Sequence, residues 1–209
     1  PARKFTPKIH HPMQWRYNLE YSCGMLTDFA AHQLDIMQWA LNKDGIEPVA
    51  IENIKGRLPP FTDLYNTLAE PFSFEIVYGD GMRVFVSSSY AYGCRFHGEN
   101  GKQIYVTNGK IETNPPELVR EKIGENEVRL IRSGQQEKNF IEAVYSGETP
   151  ISPVQAGFSA LVPAVLAHIG MRTERASLKW QAEKTRFENA PDADKLLAPH
   201  MRAPWRLDV

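Results

Sequence analysis

Asp28, His32, Asp35 and Trp39 follow one another at spacings of four, three and four residues, so on a helix they form one stripe. An imidazole between two carboxylates is a pattern suited to acid/base chemistry, because a neighbouring carboxylate can hold it in one tautomer and raise its basicity. Leu26, Phe29, Ala30, Leu34, Ile36, Met37 and Ala40 supply apolar cover around the stripe. Gly24, just ahead of the helix, allows the backbone to approach a neighbour or ligand closely. The same spacing also serves a surface pair, with Asp28 favoured in the first turn and His32 beside it. Spacing alone leaves both readings open.

A second cluster, Trp15-Arg16-Tyr17-Asn18, lies just upstream. Indole, guanidinium, phenol and amide together suit a hydroxylated or anionic small molecule, with the indole stacking on an apolar sugar face. The alternative is a loop whose aromatic rings simply cover the core.

Other chemistries find little support. Gly79-Asp80-Gly81 is the only G-x-G, and it falls where a hairpin turn is expected, with no helix after it. No G-x-x-x-x-G-K-[ST] phosphate loop is present. Ser87-Ser88-Ser89 lies on an expected strand and lacks the G-x-S-x-G elbow of a hydrolase nucleophile. His10-His11, His32 and Asp28 offer zinc donors without an H-E-x-x-H pattern, so no metal is expected. Cys23 and Cys94 stand alone without finger spacing and read as reduced thiols.

The chain of 209 residues, 42% hydrophobic and 23% charged, has the composition of a soluble globular protein. Its net charge of −1 gives no electrostatic case for nucleic acid or an anionic membrane. No stretch reads as long enough to span a bilayer, and no signal peptide is evident. The opening Pro1-Ala2-Arg3-Lys4-Phe5 lacks a starting methionine, which suggests a processed or excised chain and leaves cytoplasm or periplasm open.

Residues 1–23 show no period and read as an arm leading into a helix over 26–42, stopped before Gly45. Residues 48–57 read as a strand and 58–70 as a loop opened by Pro59-Pro60. Phe72, Phe74, Ile76 and Tyr78 alternate with Ser73, Glu75 and Val77, and Met82, Val84 and Val86 alternate on the way back, a hairpin about Gly79-Asp80-Gly81. Such alternation could also leave an uncovered apolar sheet face that seeks a partner. After the turn Gly98–Gly101, Gln103–Thr107 and Lys110–Thr113 form a second hairpin about Asn108-Gly109. Residues 135–146 read as a helix with Phe140, Ile141, Val144 and Tyr145 inward, and 153–172 as a helix kinked by Pro163. Leu178–Trp180 and Thr185–Phe187 read as short strands and 192–197 as a last short helix. Helices flanking antiparallel hairpins give an α+β fold: one domain over 1–209, with helices on one face of a mostly antiparallel, open-faced sheet.

The stretch from Trp15-Arg16 through Gly24-Met25-Leu26-Thr27-Asp28-x-x-x-His32-x-x-Asp35-x-x-x-Trp39-Ala40-Leu41 resembles the C-terminal domain of the Gfo/Idh/MocA family (glucose-fructose oxidoreductase, inositol dehydrogenase, rhizopine catabolism). Phe74–Gly81, Gly98–Gly101 with Ile104-Tyr105-Val106, Asn139–Gly147 with Pro150-Ile151, Leu178-Lys179-Trp180 and Met201-Arg202-Ala203-Pro204-Trp205 resemble later family motifs in the same order. The tail motifs resemble a bacterial, often sugar-acting branch. The resemblance implies a two-domain NAD(P)-dependent dehydrogenase in which this chain is the substrate and oligomerisation half. It implies His32 as general acid/base, Asp28 as the residue that orients it or binds a neighbouring hydroxyl, and Trp15, Arg16, Tyr17 and Asn18 as substrate contacts. NAD or NADP would belong to a cofactor domain missing here, since the family's glycine-rich loop and Glu-Lys-Pro motif have no counterpart. The implied partners are a sugar or polyol and further copies of the chain through the open sheet face. An NAD-dependent glycosidase of the same superfamily, or a non-catalytic binding and assembly domain, are the alternatives.

Overall fold

A computed structural model describes residues 7–8, 13–67, 71–129, 132–198, 201 and 203–205. Pro1–Phe5, the His10-His11 pair and Arg202 of the tail motif lie outside the described residues. The chain divides into two compact units, one of residues 1–90 and 159–209, the other of residues 91–158.

The first unit is built on a five-stranded sheet in the order β3-β2-β1-β7-β8, from β1 (Ala50–Lys55), β2 (Ser73–Val77), β3 (Arg83–Ser87), β7 (Leu178–Gln181) and β8 (Arg186–Phe187). Every pairing is antiparallel. In register, Leu178, Ile51, Ile76 and Val84 run side by side across four strands, with Phe74 opposite Val86. Of these, Ile51, Ile76, Phe74 and Leu178 are buried, which is the period-2 pattern read from the sequence. A register break between Glu52 and Lys55 spoils strict alternation in β1 and lets both Ile51 and Ile54 face inward. Asn53 at the break takes a left-handed φ of 51°, which asparagine tolerates better than most residues.

The apolar alternation that suggested an uncovered face is therefore the buried one. The opposite face carries an ion-pair cluster: Arg83 donates to Glu75 at 2.7 Å and to Glu52 at 2.6 Å, and Asn53 donates to Glu75 at 2.7 Å.

Helices α1 (Met25–Ala40) and α3 (Val154–Arg172) cover the buried face. Gln38 of α1 donates to the Tyr78 hydroxyl at the end of β2 (3.3 Å), and Gly170 of α3 packs so tightly on Ile54 that a Cβ there would sit 2.4 Å from its Cδ1. The helix α3 runs through Pro163 as one element. Proline has no N–H for the Ser159 carbonyl four residues back, and Gln38 Nε2 supplies the missing donor at 2.8 Å. Ser159 Oγ returns a bond to Gln38 Oε1 (2.9 Å) and accepts from Gly45 N (3.0 Å), so this buried carboxamide is held at both ends.

By length and composition α3 would be apolar enough to cross a membrane, contrary to the sequence reading. Its most apolar stretch is 67% buried against the rest of the protein, as a core helix must be.

The second unit holds the antiparallel sheet β4-β5-β6, from β4 (Cys94–His97), β5 (Gln103–Thr107) and β6 (Lys110–Asn114), and the helix α2 (Gln136–Ser146). The Asn108-Gly109 turn joins β5 to β6 as read, whereas β4 was not anticipated. Gly147 caps α2 with a φ of 75°. Phe140, Ile141, Val144 and Tyr145 of α2 are exposed (59, 53, 65 and 88%), not inward as their spacing suggested. Cys23 and Cys94 are free thiols, and burial pushes Cys94 up to about 11, keeping it protonated and a poor nucleophile. A short helix α4 (Pro191–Asp194) closes the first unit, its Asp194 accepting from Phe187 N at 2.7 Å.

Candidate functional site

Helix α1 turns Leu26, Leu34, Met37 and Gln38 into the core. The remaining face carries half-buried Asp28 and exposed His32, Asp35 and Trp39, with exposed Phe29 alongside. The chemistry-bearing stripe read from the sequence is thus an accessible ridge.

Gly24 sets the start of the helix, locally and through a tertiary contact. Gly24 has φ 97° and ψ −179°, a conformation essentially restricted to glycine, and its carbonyl accepts from Asp28 N (3.1 Å) and Thr27 Oγ1 (2.8 Å). A Cβ on Gly24 would lie 2.5 Å from Thr67 Cβ. The close backbone approach expected of this glycine is made to Thr67.

Upstream, Trp15–Tyr17 form a single 3-10 turn packed on α1. Arg16 Nη1 donates to Asp28 Oδ2 at 2.7 Å, with the two side chains 22 and 37% exposed. Among the described residues the ion pair of Asp28 is with Arg16 and not with His32. His32 instead acts electrostatically on Asp35. Partial desolvation raises the Asp35 carboxyl above its usual range, Asp44 adds to the rise, and His32 opposes it.

Of the four upstream residues, Trp15 is 43% exposed and Tyr17 is half-buried, edge-on to Tyr65 with ring centroids 6.1 Å apart. Asn18, expected to contact substrate, is fully buried and occupied: Nδ2 donates to Leu64 O (2.9 Å) and Oδ1 accepts from Glu20 N (3.0 Å). It braces the turn from behind. The structure therefore brings Trp15, Arg16 and Asp28 to one end of the ridge, sets His32 and Asp35 further along it, and withdraws Asn18.

Sequence reasoning missed Asn66 and Thr67, which meet the chain just ahead of α1, and Arg172, which holds their loop. Asn66 and Thr67 are buried in an irregular loop where no periodicity marks them. Arg172 is the one Lys, Arg, Asp or Glu in α3, the local sign that it had a special task.

The matching family model is the Gfo/Idh/MocA oxidoreductase family, C-terminal alpha/beta domain, and it covers residues 1–207. The chain belongs to this family, and its α+β, antiparallel architecture is that of the family's C-terminal domain. An oxidoreductase from Thermotoga maritima shares 18% identity with a TM-score of 0.47, the match covering 85% of this chain and 50% of that one. Aldose-aldose oxidoreductase from Caulobacter crescentus, complexed with glycerol, shares 16% identity with a TM-score of 0.49, covering 83% and 52%. The chain thus spans about half the length of these two solved structures. No curated protein sequence matches it.

Proposed function

We propose that this chain is the substrate-binding and assembly part of an NAD(P)-dependent oxidoreductase acting on a sugar, polyol or related hydroxylated molecule. The observation that carries the reading is an exposed histidine on α1, one turn beyond an Arg16–Asp28 ion pair, in a chain of an oxidoreductase family. His32 would accept the proton of the reacting hydroxyl. Asp28, paired with Arg16 yet partly accessible, would accept a hydrogen bond from a neighbouring hydroxyl, and Trp15 would offer its face to the sugar ring.

The described residues of this chain do not fit the nucleotide. Gly79-Asp80-Gly81 is the turn between two antiparallel strands, with Gly81 at φ 87°, and no helix follows to receive a pyrophosphate. On this reading the nicotinamide is held by another part of the enzyme. The outer face of the five-stranded sheet, with Val77 and Phe85 around the Arg83 cluster, is the proposed contact between copies. Light scattering showing only monomer at high micromolar concentration would remove that part.

The decisive experiment compares the intact enzyme with its His32→Ala variant on a panel of sugars and polyols. Turnover should fall about 10²–10⁴-fold while nucleotide affinity is kept, because a positioned general base acts in the chemical step. Unchanged kcat on the best substrate would leave the stripe a solvated helix face.

A further inference from the structure

We propose that Asn66 and Arg172 are positioning residues, which lock the Trp15–Asn18 turn so that Arg16 meets Asp28. The turn has few bonds of its own. It is a single 3-10 turn without a side-chain cap, and beyond its short-range backbone bonds it is tied to the irregular loop 59–67. Leu19 N donates to Asn66 Oδ1 at 2.8 Å, Thr67 N to Tyr17 O at 3.2 Å, and Asn18 Nδ2 to Leu64 O at 2.9 Å.

That loop has no regular structure either, and two buried or half-buried side chains give it shape. Asn66, 1% exposed, closes it by donating Nδ2 to Phe61 O at 3.0 Å while its Oδ1 faces the turn. Arg172, the last residue of α3, donates Nη1 to Pro59 O (2.9 Å) and Nη2 to Asn66 O (2.5 Å), and its guanidinium lies 4.1 Å over the Phe61 ring. One planar fork thus grips both ends of the loop and stacks on its apex, a geometry lysine cannot copy. The route from α3 to the candidate site is then continuous: Arg172 sets the loop, Asn66 carries the loop to Leu19, and the turn delivers Arg16 to Asp28 at 2.7 Å.

The proposal stands on the geometry of this chain. Only its consequence for substrate rests on the function proposed above, so the test has two readouts. In the isolated chain, hydrogen exchange is followed at the Leu19 and Thr67 amides, at the buried Arg16 Nε–H, and at Ile51 and Ile76 in the core sheet. For Arg172→Lys and Asn66→Ala, exchange at the first three should rise on the order of ten- to a hundredfold, with the sheet changing little. A parallel rise at all sites would show a merely structural role and overturn the proposal, as would no change at Leu19, Thr67 and Arg16. If Asn66→Ala does not fold, Arg172→Lys alone decides, since it keeps the charge and most of the volume. In the intact enzyme, Arg172→Lys should raise KM for the best polyol more than it lowers kcat. Altered exchange with unchanged KM would uphold the lock and remove the turn from the substrate site.

Discussion

Replacing Gly24 with alanine tests the packing that starts α1. At φ 97° and ψ −179° an alanine sits in a region nearly closed to residues with a Cβ, which costs on the order of 1–3 kcal/mol. The new methyl would also meet Thr67 Cβ at 2.5 Å, Oγ1 at 2.9 Å and Cγ2 at 3.0 Å. The nearest of these atoms is fixed to the backbone of a buried residue, so no rotamer change relieves it. Overpacking of this kind adds about 1–3 kcal/mol. The sum is about 2–6 kcal/mol, equivalent to roughly 5–20 °C in Tm for a domain of this size. Denaturant or thermal unfolding of the isolated chain measures it, and Thr67→Gly in the same background separates the two contributions. Removing the Thr67 side chain should return the contact part and leave the conformational part, a coupling that a double-mutant cycle reads directly. A loss below about 1 kcal/mol for Gly24→Ala, or no coupling to Thr67, would refute the close approach on which the helix start depends.

Ser159→Ala should destabilise the chain by about 1–3 kcal/mol, since Gln38 Oε1 and Gly45 N lose a buried partner; chemical denaturation against wild type checks it. His168, 6% exposed and near Arg172, is held neutral by burial, then by that charge, down to about 4, against about 6.5 for an unfolded histidine. The unfolded chain therefore takes the proton first. Stability from this group is complete above about pH 6.5 and falls as pH drops toward 4, by about 3 kcal/mol. The difference in stability between pH 7 and 4.5 should shrink by that order in His168→Leu. In the intact enzyme, Asp28→Asn should cut turnover in the same direction as His32→Ala, and equal activity would argue against a role for the Arg16–Asp28 pair. Because Asp28 already occupies Arg16 and Asp35 lies near Asp44, a neutral polyol should bind better than the matching sugar acid, by roughly tenfold. Calorimetry with both ligands decides, and tighter binding of the acid would count against this arrangement of charge.

The sequence by itself determined those elements whose signals fit inside a short window. The 3.6-residue pattern and Gly24 placed α1 within two residues of its observed ends, and alternation about Gly79-Asp80-Gly81 placed β2 and β3. Asn108-Gly109 marked the β5–β6 turn and Gly147 the end of α2. The stripe of Asp28, His32 and Asp35 followed from the same periodicity, because side-chain direction on a helix is fixed by spacing alone. Tertiary structure decided what each group touches. β4 has no pattern of its own over Cys94–His97 and exists through pairing with β5. Asp28 has His32 one turn away, yet Arg16, twelve residues earlier, takes the carboxylate because loop 59–67 carries it there. Asn18 reads as a ligand contact and proves to be a brace, since burial demands that an amide find partners and Leu64 is within reach only in the folded chain. Period and turn chemistry are local properties of the backbone, whereas the pairing of charges and amides depends on distances that exist only after distant segments have met.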